Sequence, residues 1–519
     1  MRASLFLVFF LALMLNAAAP PAREVGADAS PAELSLENIE LISYTPGSFG
    51  PIAVQADFAY VVAPGLLGMN QVLMMDVSNP ENPTQVASIE LEGTIEEMRI
   101  AGDYVYLLEN KRFAVLDVSV PKEPVEIGSL ALENFSDPFD LGNGYAYIPW
   151  YKSPDFNVYT GGLYIVDISD PAGPALAGSY DYPDHWAHEV ALAGQYGYVI
   201  GSRCIDLLMC FFSAYEMQVI SLADPATPVL VKTLQYAGKD LTVKNDLLFT
   251  THNNDCRPGC WGEMAIYDIS DRTEPRWINS IDTPELTSAT AIAVEGAFAY
   301  MGYVHNSEGA MAIDISKPHS PVEVGRLEGM MMREFPFAHV ATQNGYVYWV
   351  AIWDGLYIFR HAVSATVIPE GETSLVFSDP LGTTSSLQAP AGAAPVGTTL
   401  YLGPLPGLSP LSGFGLIGHV LELSAQREDA RQVGMRFRAP VTWTITYEEE
   451  QLRTITDEDE IGLYWWDGEL WAPAGETCTP AAMPDHDPAN NLLTVQVCAT
   501  GRYALLGSTS QVFLPFLQN

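Results

Sequence analysis

The sequence predicts an all-β chain: a seven-bladed β-propeller closed by an N-terminal strand, followed by a C-terminal antiparallel β-sandwich. Three observations predict it. Short strand signals end at Tyr60, Tyr106, Tyr147, Tyr198, Phe249, Tyr300 and Tyr348, with separations of 46, 41, 51, 51, 51 and 48 residues. A strand-plus-turn cassette, clearest as GLYIVDISDPAGP at Gly162–Pro174, recurs in degenerate copies at 74–83, 115–124, 219–228, 266–275 and 312–321. From Val363 the repeat stops and Pro, Gly, Ser and Thr accumulate between short apolar runs. A period in the forties to fifties, filled with short alternating strands, is how a propeller is written in sequence.

Met1–Ala19 joins a basic Arg2, an apolar run and three alanines, the layout of a secretory signal peptide, with residues 20–37 expected as a linker. The propeller is expected over 38–362. Each repeat parses into four strands; in the second these are about 97–101, 104–108, 113–118 and 125–130. The Asp-Pro-x-x-Pro turn lies between the third and fourth, where proline's fixed φ and missing donor do no harm. The aspartates that open the turns (Asp76, Asp117, Asp167, Asp268 and Asp314) are expected to accept backbone N–H groups there, and Ser221 replaces one of them. Seven strand signals but six cassettes leave the last repeat without its outer strand. Ile39–Tyr44, IELISY, resembles VEIGSL at 125–130 and is expected to supply it, hiding two sheet edges at once.

Residues 363–510 read as short strands at regular spacing, the sandwich. Turn signals separate short apolar runs at 386–388 and 398–402, and strands are expected near 419–424, 435–437, 441–447, 461–466, 492–498 and 503–506. Trp465, Trp466 and Trp471 are expected in its core and rim, or on a sugar-binding face. The apolar stretch VFLPFL lies in a short tail, 511–519, too short to span a bilayer, and no other run past the leader is long enough.

The chain carries 63 acidic against 24 basic residues, a net charge of −39. That surface repels phosphate backbones, so no nucleic-acid partner is expected. Six cysteines in an exported chain favour disulfides. Cys478 and Cys498 stand apart and are expected to pair. Cys204, Cys210, Cys256 and Cys260 allow three connectivities; they also match a zinc site in ligand number, a reading that an oxidising compartment disfavours.

The Gly/Asn-x-Tyr-x-Tyr strand followed by Leu-x-Val-x-Asp-x-Ser-Asp-Pro-x-x-Pro, most complete at Leu163–Asp167, resembles the LVIVD-repeat family of bacterial exported propellers. The resemblance implies a surface or extracellular propeller over about 38–362 and brings no catalytic residues with it. LQAPAGAAPVGTTLYL at 387–402 is similar to the strand–Pro-x-Gly-Ala–strand opening of ZU5-like sandwich domains.

Counting back from each strand signal aligns the starts of the inner strands, which would ring one mouth of a propeller. Ten residues back lie Glu96, Asp137, His188 and Lys239; nine back lie Glu97, Glu189, Asp240 and His339. The longest loops on that face add Trp150, Tyr151, His252, Trp261 and His305. These residues form the expected ligand or partner face, with His188, Glu189 and His339 as candidates for a divalent metal. No HExxH, GxSxG or P-loop occurs to name a reaction. The sequence therefore points to a secreted or cell-surface binding or scaffold protein with no cofactor, whose partner is an extracellular protein or glycan. The alternatives are a metal-dependent enzyme at the channel mouth and a glycan-binding sandwich.

Overall fold

A computed structural model describes residues 34–509, apart from 66–69, 92, 110, 137, 156–157, 183–184, 205–212, 236–237, 239, 254–261, 285–286, 306–308, 330–337, 353, 409–413, 428–429 and 433. The chain divides into two units, Met1–Leu34 and Ser35–Asn519, and every described sheet belongs to the second. The expected signal peptide, the C-terminal tail, Asp137, Lys239, Cys210, Cys256, Cys260 and Trp261 lie outside the described residues.

The described chain is all-β and almost without helix, built of antiparallel sheets in a propeller-type arrangement. Seven sheets of four or five strands follow one another along the chain, and each runs from an inner strand outwards in sequence order, save that the outermost strands of the sixth and seventh come from the N-terminal part of the chain. The inner strands are Ile52–Gln55, Ile95–Ala101, Asp140–Gly142, Trp186–Ala193, Asp240–Lys244, Thr287–Glu295 and Ala338–Gln343. Alternation drives the layering, because each strand offers one face to the sheet before it and one to the sheet after. Buried clusters therefore sit between consecutive sheets. Val62, Met74, Met98 and Leu116 fill the gap between the first two, and Phe249, Met264, Met301 and Ile313 that between the fifth and sixth.

The second sheet contains Ile95–Ala101, Tyr104–Glu109, Arg112–Asp117 and Val125–Ala131, within two residues of the expected strands. The turn aspartates behave as their chemistry predicts. Asp117 and Asp167 each accept the backbone N–H two residues on at 2.9 Å, and Asp268 and Asp314 do so at 2.8 Å. Every outer strand also carries a β-bulge at its third or fourth residue: Val86, Ile127, Ala177, Val231, Ile278, Val324 and Ile42 are the extra residues. A bulge adds twist and bends the edge.

The outer strand of the seventh sheet comes from the other end of the chain. Ile39–Pro46 pairs antiparallel with Gly355–His361, with Glu40 opposite Arg360. The bulge places Ile42 level with Ile127, so the strand sits one residue out of step with the alignment read from the sequence. Ser35–Glu37, expected as linker, is instead a strand, paired with Val322–Glu328 at the edge of the sixth sheet. Asn38, with φ at 51°, turns the chain between the two strands, a conformation asparagine tolerates.

Beyond Ala362 lie a seven-stranded and a five-stranded sheet. They share one core, where Leu375, Phe377 and Leu387 of one sheet meet Leu402, Leu423 and Leu505 of the other around a fully buried Trp443. Val363–Thr366 and Thr373–Ser378 are strands the sequence did not announce, and the acidic run 456–460 belongs to the long strand Ile455–Trp466. Trp465 packs against this core, and Trp466 and Trp471 contact each other at the rim with centroids 5.5 Å apart. Cys478 and Cys498 form a disulfide. A second apolar cluster joins this region to the first and seventh sheets through Leu405, Val420 and Leu506 against Ile42, Val61, Tyr348 and Ile358.

Candidate functional site

The inner strands bring together a cluster of charged side chains. Glu97 accepts a bond from Arg99 at 2.5 Å and another from the Met98 N–H at 2.8 Å. Burial works against the charge of Arg99, yet Glu97, Asp140, Glu189 and Asp240 together hold its pKa above the ordinary value. The guanidinium also lies over the Phe139 ring, 5.9 Å from its centroid. His339 joins from the seventh sheet; burial lowers its pKa, Arg99 reinforces that and Glu97 opposes it.

Three of the carboxylates share one structural task. Asp140 accepts the N–H of Leu192 at 3.0 Å, Glu189 that of Leu241 at 3.2 Å, and Asp240 that of Ile292 at 2.8 Å. In each case an acid on one inner strand bonds to the inner strand of the next sheet, 52 residues further on. Glu189 and Asp240 also bond to each other. Burial, together with the charge of Asp240, pushes the Glu189 carboxyl well above its usual range. Burial raises Asp240 to about 6, against the opposing bonds from Glu189 and Ile292. The pair thus holds its protons to higher pH than two free carboxyls would.

His188 faces elsewhere. It is the extra residue of a bulge, between Ala187 opposite Gly201 and Glu189 opposite Ile200. Glu189 meets Asp240 and the Leu241 N–H, whereas His188 meets Ser202 and a row of rings. The His188 Nε2 lies 2.5 Å from the Ser202 hydroxyl, and its ring takes part in a row running Tyr151, Trp186, His188, Tyr215 with centroid spacings of 4.2, 5.2 and 6.0 Å. All four rings are half-buried. The structure therefore does not gather His188, Glu189 and His339 round one point, and among the described residues no group of three His, Cys, Asp or Glu side chains is placed to hold a metal ion. Glu96 is likewise a bulge residue, and exposed. Trp150, expected on the open face, is buried and stacked on Tyr164 at 5.5 Å, because its position on the strand turns it into the gap between the second and third sheets. His252 is half-buried, its Nδ1 3.9 Å from Glu263.

Sequence reasoning missed Arg99 and Asp140, though a signal was there. Both lie seven residues before their strand signals, two beyond the aligned acids and so on the same face. The other five positions in that column are Ala53, Ala191, Thr242, Ala293 and Ala341. Small residues there leave room for one long guanidinium.

Residues 142–182 and 287–328 match the LVIVD repeat. The chain carries LVIVD repeats. Residues 28–137 match the Beta propeller domain. No curated protein matches the chain. Among solved structures, a functionally unknown protein from Desulfotomaculum acetoxidans is similar at 10% identity, over 58% of this chain and 94% of its own, with a TM-score of 0.42. A hypothetical selenium-binding protein from Sulfolobus tokodaii is similar at 14% identity, over 65% and 88%, with a TM-score of 0.41. A chain of a mitotic checkpoint complex follows at 9% identity, over 66% and 99%, with a TM-score of 0.46.

Proposed function

We propose that this LVIVD-repeat chain is an exported, non-enzymatic binding or scaffold protein. It is a seven-bladed propeller closed by Ile39–Pro46 and followed by a β-sandwich of ZU5-like kind. It holds an extracellular protein or glycan on the face that carries Tyr151, Trp186, His188 and Tyr215. Seven blades are supported by the seven sheets, whose inner strands neighbour one another in chain order, with Ala338–Gln343 beside Ile52–Gln55. The sandwich is supported by the single core that two sheets share.

The observation that carries the functional reading is the use made of the buried acids. Asp140, Glu189 and Asp240 accept backbone N–H groups of the next inner strand, and Glu97 is paired with Arg99. Groups spent on joining sheets are poor acid–base catalysts, whereas a rigid ring with uneven loops suits presentation of a surface. Half-buried aromatic rings at the mouth are the side chains that most often anchor a partner.

The test is sedimentation of the purified full chain with the envelope fraction of the cell that makes it. Trp186→Ala and Tyr215→Ala are expected to lower retention several-fold, and substitutions at Trp466 and Trp471 to leave it unchanged. The opposite pattern would move binding to the sandwich. Stoichiometric metal in protein purified without chelator, lost in His339→Ala, would replace the scaffold reading with a metal-dependent one.

A further inference from the structure

In six repeats the third strand ends on the residue that opens an exposed turn: Asp76, Asp117, Asp167, Ser221, Asp268 or Asp314. In the seventh sheet the same register position is Arg360, fully buried. Opposite it, where other outer strands present Val125, Val229 or Val322 to solvent, stands Glu40, also buried. The C-terminal region covers both. Arg360 Nε donates to Glu40 at 2.7 Å, and its Nη2 donates to the Glu422 carbonyl and the Ser424 hydroxyl at 3.2 Å each. Ser424 donates to the other oxygen of Glu40 at 2.6 Å, and Arg431 Nε reaches that same oxygen at 3.0 Å. Arg431 goes on to pair with Glu422 at 2.7 Å and with Glu81, in the outer turn of the first sheet.

Glu40 and Glu422 thus balance Arg360 and Arg431 at the centre, with Glu81 and Arg502 at the margins, and the N-terminal strand, the last propeller strand and the C-terminal region supply the central four. Glu40 is the shared member. Without Arg431 and Ser424 it keeps one of three partners, and a buried carboxylate so deprived favours any conformation that returns it to water. The strand bearing it is eight residues long, and the rest of its sheet begins only at Ala338, so the chain that connects them runs through the other six sheets. Local opening of Ile39–Pro46 is therefore the cheapest relief open to the molecule.

We propose that the C-terminal region is a latch on the N-terminal strand, with Arg431 as its bolt: the charge network holds Ile39–Pro46 in the seventh sheet, and the strand opens when the bolt is withdrawn. The proposal rests on the reading of Ile39–Pro46 as the closing strand. A chain built this way completes its ring only after residue 431 has been made and folded. An opened strand also bares the edge of Gly355–His361, which a second copy's N-terminal strand fits in the same register.

Hydrogen exchange read by mass spectrometry on the full chain tests the latch. In Arg431→Met, exchange in 39–46 and 355–361 is expected to rise roughly a hundredfold, the scale set by breaking a buried ion pair, while the inner strands of the third to fifth sheets keep wild-type protection. Glu81→Gln, which removes only the outer anchor of Arg431, is expected to raise exchange in the same two segments by a smaller factor, and Arg431→Lys to recover part of the protection. Unchanged exchange in 39–46, or equal acceleration in every sheet, would overturn the latch. Residues 39–46 exchanging as fast as a loop in the wild type would instead overturn the closing-strand reading. Dimers of Arg431→Met in solution would add that the bared edge recruits a second copy.

Discussion

Replacing Asp240 by Asn tests the raised carboxyl pKa at the inner cluster. The native Asp240 pKa is about 6 against an ordinary 3.8, so the folded chain binds more protons than the unfolded one between those values. Stability from this group is present in full below pH 3.8 and is lost as pH rises through 6. At pH 5 the carboxyl is about nine-tenths protonated when folded and less than about a tenth when unfolded, which amounts to roughly 1.4 kcal/mol relative to pH 8. Asp240 is partly open to solvent, and that reduces the figure. The release of Glu189 from its acidic neighbour adds in the same direction. His361 works the other way: burial lowers it to about 4, so it destabilises the fold as pH falls from 6.5. The wild-type pH profile alone therefore mixes two signs, and the variant separates them. Asparagine keeps an acceptor for the Ile292 N–H but cannot titrate. Urea unfolding of wild type and Asp240→Asn at pH 5 and pH 8 should show the variant gaining about 1 kcal/mol on the wild type at the higher pH. A difference between the two proteins that does not change with pH would refute the raised pKa of Asp240.

Three further expectations concern stability. At Gly162 an added Cβ would lie 2.1 Å from the Tyr180 carbonyl and 2.6 Å from the Trp150 ring, so Gly162→Ala is expected to cost more than about 2 kcal/mol and to lower the melting temperature measurably. Reducing Cys478–Cys498, a bridge across 20 residues, should cost about 3 kcal/mol on chain-entropy grounds, read as a lower urea midpoint for Cys478→Ser with Cys498→Ser. Despite the burial of its carboxyl, Arg360, Arg431 and Arg502 hold Glu422 down at about 2. Its contribution is present above pH 4.5 and lost as pH falls through 2, so Glu422→Gln should flatten the acid limb of the stability curve below pH 4.5, as followed by tryptophan fluorescence.

The propeller-type region was legible because repetition multiplies a weak signal. One Leu-x-Val-x-Asp strand says little, but six copies at near-constant spacing identify both the strand and the turn that follows. Bulges are where that reading slipped. They insert a residue without any mark in composition, so a register copied from VEIGSL sets Ile42 level with Gly128 instead of Ile127, and counting back groups His188 with Glu189 although the two side chains meet different partners. Glu189, Asp240 and His339 were found because counting back from the strand signals held across sheets. Arg99 was passed over because an isolated basic residue on a strand looks like solvent-facing surface until the small residues beside it are counted. The bond of Glu40 to Arg431 joins positions 391 residues apart, and no local pattern announces a pairing at that distance.

Arg360 has a consequence for how such a chain can lengthen. Copying an interior repeat duplicates a strand that ends in a solvent-facing Asp, and the new unit brings its own turn with it. Copying the terminal repeat instead inserts a guanidinium that needs Glu40 and Glu422, of which the chain has one each. A second such arginine would be buried without counter-charge, at several kcal/mol. Gene duplication in this lineage is thus free to act between the ends and penalised at the junction, which makes the boundary at Ala362 the least interchangeable point in an otherwise modular array.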